Sequence, residues 1–110
     1  ADVFLYHKTT NRRVYEEAKA DFPAHDDVIL FNEAGEATES TIANLVVEIE
    51  GMLLTPPVEC GLLPGTARAE LLARGVLREQ IVPVSLLKTS PRLFLLNSVR
   101  GLFPAVLDQA

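Results

Sequence analysis

The apolar residues of this chain fall in short runs, each stopped by glycine, proline or a polar cluster. Val3-Phe4-Leu5-Tyr6, Val28-Ile29-Leu30-Phe31, Leu45-Val46-Val47-Glu48-Ile49 and Met52-Leu53-Leu54-Thr55 each suit a strand and are too short for a buried helix. Asn32-Glu33-Ala34-Gly35 reads as a turn, and Glu50-Gly51 as a tight one that folds its flanking runs into a hairpin before Pro56-Pro57 breaks it. Glu36 to Ser40 reads as connecting chain. Ile81-Val82-Pro83-Val84 predicts an edge strand, since proline cannot donate to a ladder. Leu93 to Leu96 and Leu102-Phe103 flank a turn over Asn97-Ser98-Val99-Arg100-Gly101.

Two segments have helical spacing instead. Between Arg12 and Phe22, Val14, Ala18 and Phe22 share one face, with Thr9, Thr10 and Asn11 as N-caps and Pro23 as the stop. Gly61-Leu62-Leu63-Pro64-Gly65 leads into a second helix from Thr66 to Arg74, closed by Gly75. No repeat or low-complexity tract interrupts the pattern. The expected fold is one mixed α/β (α+β) domain, strand-rich, with two helices.

Composition narrows the function classes. With 110 residues, nearly half of them hydrophobic, the chain can bury roughly two-thirds of its unfolded surface in a single modest core. Ten Lys+Arg against 15 Asp+Glu leave a net charge of −5, and no basic stripe stands ready to neutralise phosphates, so a nonspecific nucleic-acid binder is not expected. No apolar run is long enough to span a bilayer, and Ala1-Asp2-Val3-Phe4 does not open like a signal peptide. Cys60 has no second cysteine to pair with and no histidine beside it. It reads as a small loop or core residue, no metal site is expected, and a cytoplasmic setting is the default.

Three places carry chemistry. Lys8 stands at a strand end, where contact with apolar surface would disfavour its ammonium form and make its amine nucleophilic. Glu39 is bracketed by Thr38, Ser40 and Thr41, and a carboxylate among hydroxyls can stay ionised within a fold and pair with a cationic ring nitrogen. Pro64-Gly65-Thr66-Ala67-Arg68 opens a helix whose free N–H groups suit a phosphate, and Asn97-Ser98 can supply a backbone N–H and a hydroxyl. Each has an ordinary alternative: a solvated lysine, a solvated turn glutamate, a plain helix start, a plain turn. The glycine spacing of a P-loop is absent.

Taken in order, Lys8, Thr38-Glu39-Ser40 with Asn44-Leu45, Leu53-Leu54-Thr55-Pro56-Pro57, Gly61 to Arg68 and Asn97-Ser98 resemble the C-terminal domain of the class IV (fold type IV) pyridoxal-phosphate enzymes. That family holds the D-amino-acid and branched-chain aminotransferases and 4-amino-4-deoxychorismate lyase, and the resemblance runs from about Val3 to Leu107. Phe4 to Arg12 and Asn97-Ser98-Val99-Arg100-Gly101 are most similar to the lyase branch, including the lyase-like domain fused to para-aminobenzoate synthase component I.

The resemblance implies that Lys8 is the lysine carrying pyridoxal 5'-phosphate as an imine and that Glu39 pairs with the pyridine nitrogen. It implies that Thr66, Ala67, Asn97 and Ser98 hold the phosphate, that Arg68 braces the loop, and that Arg100 faces a substrate carboxylate. The implied reaction releases pyruvate from aminodeoxychorismate and leaves 4-aminobenzoate, a folate precursor. The alternatives are an aminotransferase built on the same Lys8 and Glu39, or a noncatalytic packing module. It further implies an N-terminal domain, which this chain is expected to lack, so that the chain alone binds cofactor weakly. A homodimer partly sealed by Leu93 to Leu96 and Phe103 to Leu107 is also expected.

Overall fold

In the computed structural model of the chain, residues 2–7, 27–89 and 91–107 are described. They form β1 (Asp2–His7), β2 (Asp27–Phe31), β3 (Ala37–Ser40), β4 (Asn44–Ile49), β5 (Met52–Thr55), β6 (Leu77–Glu79), β7 (Arg92–Asn97) and β8 (Gly101–Leu107), with helices α1 (Thr66–Ala73) and α2 (Val84–Leu87). The predicted helix over 12–22, with its caps and Pro23, lies outside the described residues, as does Lys8.

The strands run β3-β2-β1-β8-β7-β4-β5-β6, and β3 also pairs with β4. That extra pairing closes β3-β2-β1-β8-β7-β4 into a ring. One edge of β4 is taken by β7 over Asn44 to Glu48. The other is divided, with Asn44 facing Glu39 of β3 and Val47 to Ile49 facing β5. Strand β4 therefore forks: its first residue seals the barrel, and its end leads the β5–β6 flap away.

Alternation sorts the side chains. Leu45 and Val47 of β4, Leu93 and Leu95 of β7, and Phe103 and Ala105 of β8 share one core with Ile29, Ala37, Val82 and Leu87. On the opposite face Val46, Leu77 and Leu96 pack against Ala67, Leu71 and Leu72 of α1. Each fully buried Leu, Ile or Val is worth about 1.5–3 kcal/mol over leaving it in water. Helix α1 is thus fixed by its apolar side, leaving its first turn free to face the fork in β4. The β4–β5 hairpin turns through Glu50 and Gly51 at φ 52° and 80°. Two consecutive left-handed residues match the twist of the flanking strands, as the Glu50-Gly51 pair predicts.

Two expectations are corrected. Ile81 to Val84 is no edge strand: Val82 is fully buried, Pro83 precedes α2, and Glu36 and Pro83 form only an isolated bridge. The ladder fails there because Pro83 lacks an N–H, although Ala37 N–H reaches Val82 O at 2.7 Å and Val84 N–H reaches Gly35 O at 2.8 Å. The strand comes earlier, as β6 parallel to β5, where exposed Arg78 and Glu79 mask its apolar pattern. Residues Ala37–Ser40, read as connecting chain, are a fully buried strand. Among the described residues no helix is long and apolar enough to cross a membrane.

Candidate functional site

The site lies where β4 forks. Glu39 and Asn44 are register partners across the seam and are 9% and 6% exposed. Because successive strand residues face opposite ways, Thr38 and Ser40 cannot surround the Glu39 carboxylate as the sequence suggested. The Thr38 hydroxyl donates to Leu30 O at 3.0 Å. The Ser40 hydroxyl donates to Ala43 O at 3.1 Å and accepts from Ala43 N–H at 2.9 Å, closing the turn between β3 and β4. Glu39 Oε1 instead accepts the Leu63 N–H at 3.1 Å. A solvated turn glutamate is excluded by this burial.

The loop supplying that N–H ends at α1. Gly65 is the N-cap, and no side chain caps the helix. Its first-turn N–H groups, at Thr66 and Ala67, accordingly keep the positive end of the dipole open to a ligand. Arg68, next in sequence, points the other way. It is 4% exposed, and its Nη2 donates to Pro56 O at 3.0 Å and to Glu79 Oε2 at 2.7 Å. It therefore ties α1 to the Pro56-Pro57 break and to β6, behind the loop.

The third wall is the β7–β8 turn. Asn97 Oδ1 accepts the N–H groups of Val99 and Arg100 at 3.1 and 2.8 Å, and Nδ2 donates to Ile42 O at 3.4 Å. The amide of Asn97 is thus engaged in holding its own turn against the β3–β4 turn. Ser98, exposed beside it, brings a hydroxyl to the rim.

Glu39, Thr66, Ala67, Asn97 and Ser98 all line one cavity of about 220 Å³, together with Asn44, Leu63 and Gly65. Two site residues named from sequence stand apart. Lys8 is outside the described residues, with β1 ending at His7 just before it. Arg100 does not line this cavity; its guanidinium lies over the Phe103 ring, 3.9 Å from the centroid. Asn44 was visible in the sequence as part of the series but carried no role there.

The donor set fits pyridoxal phosphate: a buried carboxylate at one end, uncapped helix N–H groups and a hydroxyl turn at the other, and an open cleft between. Among the described residues no group of three or more His, Cys, Asp or Glu could hold a metal ion.

Cys60 lies outside this cavity, buried, with its carbonyl accepting from Asn32 Nδ2 at 3.0 Å. Burial pushes its thiol pKa up, and the neighbouring Glu36 carboxylate adds to the rise. At a given pH a smaller share of Cys60 is therefore in the reactive thiolate form than of a free thiol. Alkylation of Cys60 at pH 8 is expected to run slower than that of a free model thiol and to accelerate on unfolding. An equal rate in the folded protein would contradict this placement.

A Mesorhizobium loti protein, provisionally named an amino-acid aminotransferase, superposes at a TM-score of 0.84 with 39% identity, over 97% of this chain and 59% of its own. The 4-amino-4-deoxychorismate lyase of Pseudomonas aeruginosa superposes at 0.77 with 27% identity, over 98% of this chain and 47% of its own. A Schizosaccharomyces pombe protein, provisionally named an aminodeoxychorismate lyase, is 36% identical over 107 residues. The chain spans about half the length of that relative, 46%. The aminotransferase class IV family model matches residues 1–107, and the chain belongs to that family.

Proposed function

We propose that this chain is the cofactor-lysine domain of a pyridoxal-phosphate-dependent 4-amino-4-deoxychorismate lyase, completed by a further N-terminal domain and working as a homodimer in the cytoplasm. The observation that carries the reading is the single cavity in which buried Glu39 faces the uncapped start of α1 and the Asn97–Ser98 turn. The lyase names of the Schizosaccharomyces and Pseudomonas relatives support the choice of reaction. A fusion to para-aminobenzoate synthase component I and a role in folate synthesis follow from the resemblance.

In this assignment Glu39 takes the pyridine nitrogen, the Thr66 and Ala67 N–H groups with the Asn97–Ser98 turn take the phosphate, and Lys8 is the covalent anchor. When bound, the cofactor supplies an electron-withdrawing ring that takes up the charge left at the reacting carbon. The carboxylate of Glu39 holds a proton on the ring nitrogen across a charge-assisted hydrogen bond. Lys8 Nζ, once free, takes the proton from the substrate carbon that bore it. Arg68 keeps α1, and with it the phosphate donors, in place from behind. Arg100 is assigned to a carboxylate of the substrate, for which its guanidinium must leave the Phe103 ring. The ring C–O bond to the enolpyruvyl group would then break, the departing enolpyruvate taking up the proton held by Lys8 to become pyruvate, and the ring would be left aromatic as 4-aminobenzoate.

The second reading, an amino-acid aminotransferase, is favoured by the name of the Mesorhizobium relative. The two share Lys8 and Glu39 and differ in products. The two-domain protein given aminodeoxychorismate is expected to release 4-aminobenzoate and pyruvate in equal amounts, and to form little amino acid from amino-acid and keto-acid pairs. A new amino acid without 4-aminobenzoate would overturn the lyase in favour of the transferase. Neither product, from protein loaded with cofactor, would favour the noncatalytic module.

A further inference from the structure

We infer that Asn44 is a positioning residue that sets the separation between the two ends of the cavity, the Glu39 carboxylate and the first turn of α1. The inference rests on the cofactor assignment above and adds to it a residue without a role in the sequence reading.

The Leu63 peptide is gripped from both sides. Its N–H donates to Glu39 Oε1 at 3.1 Å, and its carbonyl accepts from Asn44 Nδ2 at 2.8 Å. Two residues further on, the Gly65 N–H donates to Asn44 Oδ1 at 3.2 Å. One carboxamide thus satisfies an acceptor and a donor on either side of Pro64, a task that needs a planar group offering both. Pro64 has no N–H and restricts the residue before it, so the span from Leu63 to Gly65 is short and stiff.

Gly65 is the N-cap of α1, so fixing its N–H fixes where the Thr66 and Ala67 donors begin. Asn44 is also the register partner of Glu39 on one edge of β4 and of Leu96, next to Asn97, on the other. All three walls of the cavity therefore meet at this residue, one through its side chain and two through strand register. The approach is close enough that a Cβ on Gly65 would come within 2.6 Å of Asn44 Oδ1. The φ of −66° is open to any residue, so an added Cβ would act by space alone, pushing the Asn44 carboxamide aside.

A ligand held at both ends gains from a spacing set in advance, whereas a ligand held at one end does not. This separates positioning from simple structural support. The measurement is the dissociation constant of the two-domain apoprotein for pyridoxal phosphate, for pyridoxal and for inorganic phosphate, with the melting temperature of each apoprotein alongside. Asn44→Ala is expected to weaken pyridoxal phosphate binding about tenfold to a hundredfold, the scale of orphaned buried hydrogen bonds. Pyridoxal and phosphate affinities are expected to stay within about threefold, because each still finds its own end. Gly65→Ala, which displaces the amide without removing it, is expected to show the same split and decides the matter if Asn44→Ala does not fold.

Equal losses for all three ligands, or unchanged pyridoxal phosphate binding in the variants, would overturn the spacing role while leaving the cofactor assignment in place. A wild-type protein with no affinity for pyridoxal phosphate would overturn both.

Discussion

Lys8→Arg is expected to lower turnover of the two-domain enzyme by about 10²- to 10⁴-fold, the range contributed by a positioned general base. Arginine keeps the positive charge, but its guanidinium does not lose a proton in proteins and so serves neither as amine nucleophile nor as base. The substitution therefore tests chemistry while changing the local charge very little. The check is a steady-state assay of 4-aminobenzoate release together with a melting curve. Turnover near wild type with an intact melting transition would remove Lys8 from the mechanism. A solvated lysine at a strand end, the ordinary reading of the sequence, predicts that result.

Glu39→Gln is the second large effect, and the structure makes it a clean test. The Leu63 N–H that Glu39 Oε1 accepts can be accepted equally by a glutamine carbonyl, so the loop into α1 keeps its tie. What is lost is the negative charge that the proposed assignment sets against the ring nitrogen. A hydrogen bond to a charged group is worth about 1.5–3 kcal/mol, so cofactor binding is expected to weaken about tenfold to a hundredfold. Turnover should fall further than binding, because the proton that makes the ring electron-withdrawing is no longer held there. The apoprotein should melt within a few degrees of wild type. Titration with pyridoxal phosphate, an activity assay at saturating cofactor and a melting curve give the three numbers. A large drop in melting temperature with unchanged cofactor affinity would make Glu39 a structural residue of the barrel seam.

How much of this was legible in the sequence depended on which physical signal each residue emits. The strands Val28–Phe31, Leu45–Ile49 and Met52–Thr55 announce themselves through apolar runs, and the Glu50-Gly51 turn through the left-handed backbone it must adopt. Strand β3 gives no such signal. Its Thr-Glu-Ser sequence looks like solvent-facing chain, yet the strand is buried and pairs with β2 and with β4. That burial is a long-range event, and local pattern does not report it.

The site divides along the same line. Thr66, Ala67, Asn97 and Ser98 sit at helix and strand ends whose punctuation is local, and all four line the cavity with Glu39. The hydroxyls beside Glu39 were misassigned because proximity in sequence was read as proximity in space, whereas strand alternation turns Thr38 and Ser40 away. Arg68 was expected to brace its loop, and its bonds to Pro56 O and Glu79 place it behind the helix in that capacity. The role of Asn44 appears only when Leu63 and Gly65 are brought against β4, a contact spanning some twenty residues of chain.

The central claim is that Lys8 and Glu39 serve one cofactor site. The most direct test is borohydride reduction of the two-domain protein after incubation with pyridoxal phosphate, with the modified peptide located by mass spectrometry. The account predicts a pyridoxyl group on Lys8, stoichiometric in the wild type, strongly reduced in Glu39→Ala at limiting cofactor, and absent from Lys19 and Lys88. Label spread evenly over Lys8, Lys19 and Lys88, or label on Lys8 indifferent to the loss of Glu39, would contradict it.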